Sequence, residues 1–283
     1  MKILSMIIFS VREAILRGTL IFYFAVGNLI ILFVALAVNA SPDGSSIVVL
    51  GNPIPAKSLM GVSPVDFILI QLQRSSASAI MFLGIFAIAG IIPSMLEKGT
   101  AELFLSKPLS RTTLFLSRAI GSTVAIGLNI LYFAVAIWLI FGVKIGVWHW
   151  GFLLSALMVV VAFAFYYSVV ALVSLVTRSQ ALAIMLGFLF WFLAGALESR
   201  QAGLYNLWSN DIYRRTLDVI YYVTPQVSGM LQNATRLIGM NPYDRMLGPQ
   251  AVSDFSIMPF VFSLLSASAI YALASWYFSR QDY

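Results

Sequence analysis

The sequence predicts an all-α polytopic membrane protein: six transmembrane helices, an N-terminal interfacial helix, a cytoplasmic loop after span two, and a large outer loop between spans five and six. Three observations carry this. Hydrophobic residues make up 60% of the 283 and charged residues only 10%, against roughly 25% charged in a soluble domain, which excludes an ordinary cytosolic enzyme. Six runs approach the about 20 apolar residues needed to cross the hydrocarbon. None of them alternates in the short segments of a membrane barrel, and a segment in lipid must satisfy its own backbone, so each is expected to be a helix.

Taken in order, residues 2–18 read as a helix lying on the cytoplasmic side. Ile3, Ile7, Val11 and Ala14/Ile15 fall on one face, and Glu13 and Arg17 are spaced to pair one turn apart. Arg12 and Glu13 interrupt the apolar run and no small-residue cleavage site follows, so the segment is not expected to be a signal peptide. The spans are expected at 19–38, 76–96, 119–141, 152–176, 181–197 and 257–278. Residues 39–75 form an outer loop with the turn-rich stretches "SPDG" and "NPIP". Residues 198–256 form the large outer loop. It is too polar to span and is expected to hold one or two short helices broken at Pro225, either lying at the interface or packing over the outer ends of the spans. Trp148, Trp150, Trp191, Trp276 and Tyr277 sit near span ends, where amphipathic rings meet headgroups.

Orientation follows from where the cations lie. With the N-terminus inside, the inner segments carry nine Lys and Arg residues and the outer segments carry eight, making up the 17 of the chain. The outer segments are much longer, and long translocated loops count for little, so charge density places both termini in the cytoplasm of a cell (plasma or inner) membrane protein. Lys144, in a short outer loop, is the one dissenter.

Catalytic chemistry is expected to be absent. There is no cysteine, and His149 is the only histidine, so no catalytic residue and no metal site is assigned. No Gly-rich phosphate loop with a following Lys-Ser/Thr occurs, so ATP is not expected to bind this chain in that manner. The six runs contain no Asp, Glu, Lys, Arg or His, which argues against a proton-coupled secondary transporter. Asn28 and Asn129 are expected to make interhelical hydrogen bonds. Gly84–Ala87–Gly90 and Ala183–Gly187 have close-packing spacing, within one chain or between two. If the protein moves something actively, the energy must enter from a soluble partner.

The segment "EKGTAELFLSKPLSRTTLFLSR", residues 97–118, is the place for such a partner. Thr100 can cap a short helix with Glu102 in its first turn, Pro108 stops it, and Ser110 can cap a second helix running into span three. Leu103, Phe104, Leu105 and Leu109 stand among charges. A loop that merely connects spans has no reason to expose them. Lying flat on lipid accounts for the basic residues; docking a protein accounts for the acids as well.

At this point the sequence resembles the permeases of ABC-2 type ABC transporters. The resemblance is carried by "PSMLEKGTAELFLSKPLSRTTLFLSR", at Glu97, Gly99, Thr100, Glu102, Leu103, Leu105, Ser106, Lys107, Pro108, Ser110 and Arg111, and more loosely by "REAILRG" near the start and "SRQDY" at the end. Ala101 departs from the larger apolar residue common there. The resemblance implies that residues 1–283 form a single transmembrane domain. It also implies an ATPase-coupling loop, with Glu97, Lys98, Gly99, Thr100, Glu102, Leu103, Lys107, Pro108 and Arg111 as its contact residues. The cytoplasmic ABC ATPase subunit, which holds ATP and Mg, is then a separate chain, and two permease copies, identical or related, pair within membrane lipid to drive efflux. Nucleic acid is not an expected partner. A channel, a secondary transporter, an intramembrane enzyme, and a scaffold harnessing an ATPase for mechanical work stay open as alternatives.

Overall fold

The computed structural model describes residues 2–16, 18–40, 46–55, 63–97, 110–239 and 255–280. Helix α1 spans Lys2–Leu16 and α2 Gly18–Ala37. A small antiparallel sheet follows, β1 (Val38–Ala40), β2 (Ser46–Val49) and β3 (Asn52–Pro55), in the order β1-β2-β3. Then come α3 (Pro64–Ile88), α4 (Ile91–Met95), α5 (Arg111–Ile145), α6 (Trp150–Thr177) and α7 (Gln180–Glu198). A 3-10 turn at Leu204–Asn206 leads to α8 (Asp211–Val223), α9 (Val227–Ile238) and α10 (Met258–Ser279). Six helical stretches are long and apolar enough to cross a membrane: α2, α3 with α4, α5, α6, α7 and α10. The six-span all-α expectation therefore holds.

Helix α6 is the axis of the bundle, packing against α3, α4, α5, α7, α9 and α10. Its composition explains this. It carries no charged side chain over 28 residues, and it buries a stripe of Phe163, Tyr166, Tyr167, Val170, Ala171 and Leu175. The small residues marked by sequence spacing serve this packing inside the chain. A Cβ on Gly84 would stand 2.8 Å from the Phe163 ring, and one on Gly187 2.9 Å from Val170. Without a hydrophobic drive between helices in lipid, such close backbone approach is what holds them together. Tyr132 donates to Asn28 Oδ1 at 2.8 Å, the expected interhelical bond. Asn129 instead lies beside Gly27 and bonds no described residue.

Three differences from the sequence expectation have clear causes. Helix α3 begins at Pro64, well before residue 76, because Ser63-Pro64 with Asp66 in the first turn is a strong helix start. Asp66 and Arg74 therefore lie on the second spanning helix rather than in a loop. Helix α5 likewise runs from Arg111 to Ile145, longer than 119–141, and so includes Arg118 and Lys144. The segment between spans one and two also contains the sheet. Its two-residue hairpin turn has positive φ at both Leu50 (51°) and Gly51 (83°), the geometry whose twist suits adjacent strands.

Lys144, the dissenting cation, is explained by these contacts. Its amine donates to Asn39 Oδ1 at 2.8 Å, to Val38 O at 3.2 Å, and to Ala35 O. It thus satisfies carbonyls at the end of α2, where a cation also complements the helix dipole.

Candidate functional site: the segment between spans two and three

Residues 98–109 lie outside the described residues, and with them Lys98, Gly99, Thr100, Glu102, Leu103, Lys107 and Pro108. The structure places the two ends of the segment, Glu97 and Arg111, and shows what each is fixed to.

The leading end is fixed by α4. Span two breaks at Ala89–Gly90 and resumes as a one-turn helix whose Ile91, Ile92 and Met95 are buried against α5 and α6. Pro93 causes the break, since it has no N–H to return to the Ala89 carbonyl four residues back. Neighbouring hydroxyls compensate. Thr19 Oγ1 donates to Ala87 O at 3.1 Å, and Ser174 Oγ reaches Ala89 O at 3.5 Å. Glu97 follows two residues after this buried turn and is exposed.

The trailing end is fixed by a cap. Ser110 is extended, and its hydroxyl accepts from the Thr113 backbone N–H at 3.2 Å, opening α5 at Arg111. The sequence expectation of a Ser110-capped helix running into span three is thereby met. Leu114 and Phe115 are buried one turn later. Both ends of the segment therefore emerge from well-packed backbone.

The first turns of α5 are tied in turn to α1. Met6, Ser10 and Ala14 are the residues α1 buries against α5, while Leu4, Ile8, Phe9, Ile15 and Leu16 stay exposed. Of the stripe read from sequence, Ala14 is buried and Ile7 and Val11 are half-buried, while Ile15 is exposed; Met6 and Ser10 complete the face turned to the bundle. Backbone approach is close: a Cβ on Gly121 would sit 2.5 Å from Ser10 Cβ and 3.0 Å from Ile7 O. Beside this contact Arg118 Nη1 donates to Glu13 Oε2. The Arg118 side chain is 1% exposed and Glu13 24%. The expected pairing of Glu13 with Arg17 lies outside the described residues; among those described, Glu13 accepts from Arg118. Sequence reading missed this pair because Arg118 sat at the end of a charged segment, where an exposed cation is the ordinary case.

At the opposite end of the bundle the described part of the large loop holds two α-helices broken at Pro225. Of the two arrangements considered, α9 adopts the packed one: Val227, Met230, Asn233 and Ala234 are buried against α6 and its neighbours. The backbone N–H of Gln226 donates to Ser263 Oγ at 2.8 Å, and Asn233 Nδ2 to Ser256 O at 2.6 Å. Arg200 ties α8 to α7. Its Nε donates to Asp218 Oδ1 at 2.8 Å, Tyr205 donates to the same oxygen at 2.6 Å, and the guanidinium lies 3.7 Å over the Tyr221 ring. The hydrogen bonds from Tyr205 and then Arg200 hold the Asp218 carboxyl below its ordinary range. His149 precedes α6, with Nε2 3.3 Å from Asp66 Oδ1. No group of three or more metal-ligating side chains converges among the described residues.

Among known proteins, a search of curated sequences found no match to the chain. The family model described as "ABC-2 family transporter protein" matches residues 22–283. With six membrane-length helices among the described residues and a match over nearly the whole sequence, the chain belongs to the ABC-2 family of transporter proteins.

Proposed function

We propose that the protein is the permease subunit of an export-type ABC transporter, residues 1–283 acting as one transmembrane unit. On this reading a separate cytoplasmic ATPase, which binds ATP and Mg²⁺, docks on residues 97–111, and both termini face the cytoplasm of the cell membrane. Two permease copies and two ATPases complete the assembly. Glu97 and Glu102 face donors of the ATPase, Leu103 packs against it, and Lys98, Gly99, Thr100, Lys107, Pro108 and Arg111 shape the segment and hold it at the membrane boundary.

One observation supports this above the rest. The segment leaves α4 and enters α5 through two buried anchors, and α5 is bonded to α1 by Arg118–Glu13. A push on such a segment moves spans two and three together, whereas a slack connector would absorb it.

The test uses Glu97→Lys and Glu102→Lys in the full complex. If the segment only lies on anionic lipid, each added cation is neutral or strengthens attachment. If the acids face an ATPase, reversal costs roughly 2–5 kcal/mol, at least about a thirtyfold loss of capture. Co-purification of the ATPase and cargo-stimulated hydrolysis should both fall, with Leu103→Ala behaving alike and Arg215→Ala unchanged. Full capture and coupling in both reversals would refute the docking assignment.

A further inference from the structure

Between α3, α7 and α9 lies a cavity of about 420 Å³. Its wall combines two kinds of surface. Gln73, Arg74, Glu198 and Arg236 supply polar groups, and Trp191 and Leu231 supply an apolar surface. We infer that this cavity is a binding site for an anionic amphiphile, its phosphate, sulfate or carboxylate held at Arg74 and Arg236 and its chain laid on Trp191 and Leu231.

Charge comes first. Two arginines and one glutamate line the cavity, so the lining is net cationic. The carboxylate is moreover engaged, since Tyr221 donates to Glu198 Oε2 at 3.0 Å. Arg236 Nη1 is oriented by Asn233 Oδ1 at 3.1 Å, and Asn233 is itself buried and fixed to Ser256. Arg74 is the telling residue. It is exposed and sits on a spanning helix, and its guanidinium makes no hydrogen bond or ion pair with a described residue. Ionisable side chains on spanning helices are rare and mark ligand pathways when they face a cavity. Next to it Gln73, only 5% exposed, also lines the cavity. Guanidinium forks suit the oxygens of phosphate and carboxylate. Most small-molecule sites pair a few polar groups with aromatic and aliphatic lining, which is the arrangement here.

Such an amphiphile has two sources, an acidic membrane lipid or a cargo molecule, and one fluorescence experiment treats both. Trp191 is the built-in reporter. The purified chain, without any ATPase, is placed in neutral phosphatidylcholine nanodiscs. Dodecyl phosphate is titrated below its micellar concentration, with dodecyltrimethylammonium as the cationic control. In a second arm, brominated phosphatidylglycerol replaces part of the lipid, with brominated phosphatidylcholine as control. The expected result is a saturable emission change with the anion alone, lost in Trp191→Phe and shifted about tenfold or more to weaker binding in Arg74→Gln and in Arg236→Gln. Arg215→Gln, an exposed arginine on α8, should bind as the native chain does. Selective quenching by brominated phosphatidylglycerol identifies the lipid as occupant; response to dodecyl phosphate without it identifies a cargo-like molecule. Equal response to the cationic probe in both arms, or binding indifferent to both arginine substitutions, overturns the assignment. Because the ATPase is absent, failure here leaves the docking proposal for residues 97–111 untouched, and failure there leaves this site standing.

Discussion

Replacing Glu13 by Gln isolates the contact between α1 and span three. The Arg118 side chain is 1% exposed and that of Glu13 24%, so solvent screens the pair little. Breaking a buried ion pair from one side costs about 3–5 kcal/mol, because the remaining charge stays buried. The amide can still accept one hydrogen bond from Arg118, which places the expected loss at the lower end, about 3 kcal/mol. At about 2 °C per kcal/mol for a large domain, the melting temperature should fall by about 6 °C. The double variant Glu13→Leu/Arg118→Met removes both charges with similar volume and should recover most of that loss. The assay is thermal unfolding followed by intrinsic fluorescence in one fixed detergent. A Glu13→Gln protein melting within about 1 °C of the native chain, or a double variant less stable than the single, would refute the buried-pair argument.

Three further outcomes follow from the packing. Gly121→Leu should wedge α1 off α5, since even a Cβ there meets Ser10 at 2.5 Å; proteolysis within 2–16 should accelerate while the six spans remain inserted. Ser110→Ala should cost about 1 kcal/mol by leaving the Thr113 amide uncapped, read as faster hydrogen exchange in the first turn of α5 and nowhere else. Asp218 gives a pH signature with a definite sign. Its folded pKa lies below its unfolded value, so its stabilisation is fully present above the ordinary carboxylate pKa of about 3.9 and is lost as pH falls through the lower folded value. The α7–α8 clamp should therefore resist proteolysis at residues 201–210 from neutral pH down to about 4 and give way below it. Asp218→Asn should be cleaved readily across that whole range.

Much of the architecture is determined by sequence alone, because the bilayer imposes so few solutions. Apolar length and the need for internally paired backbone are sufficient for six helices, and the ends of α2, α6, α7 and α10 fall within about two residues of the hydropathy reading. Capping chemistry is equally local, so Ser110 and Pro225 were legible as a start and a break without any tertiary knowledge. The candidate docking segment is also legible as a motif, although most of it lies outside the described residues. Tertiary structure decided everything that depends on partners far apart in the chain. Lys144 looked like a misplaced topology signal until its amine was found on the carbonyls closing α2. Arg118 looked like a loop cation until α1 brought Glu13 to it across 105 positions. Arg74, read as part of a loop, stands on a spanning helix that begins at Pro64, and only the packing of α3 with α7 and α9 sets it in one cavity with Arg236 and Trp191. The physical reason is the same in each case. A run of apolar residues fixes its own conformation within a few turns, but the energy of a charge is set by what surrounds it, and those surroundings come from other helices.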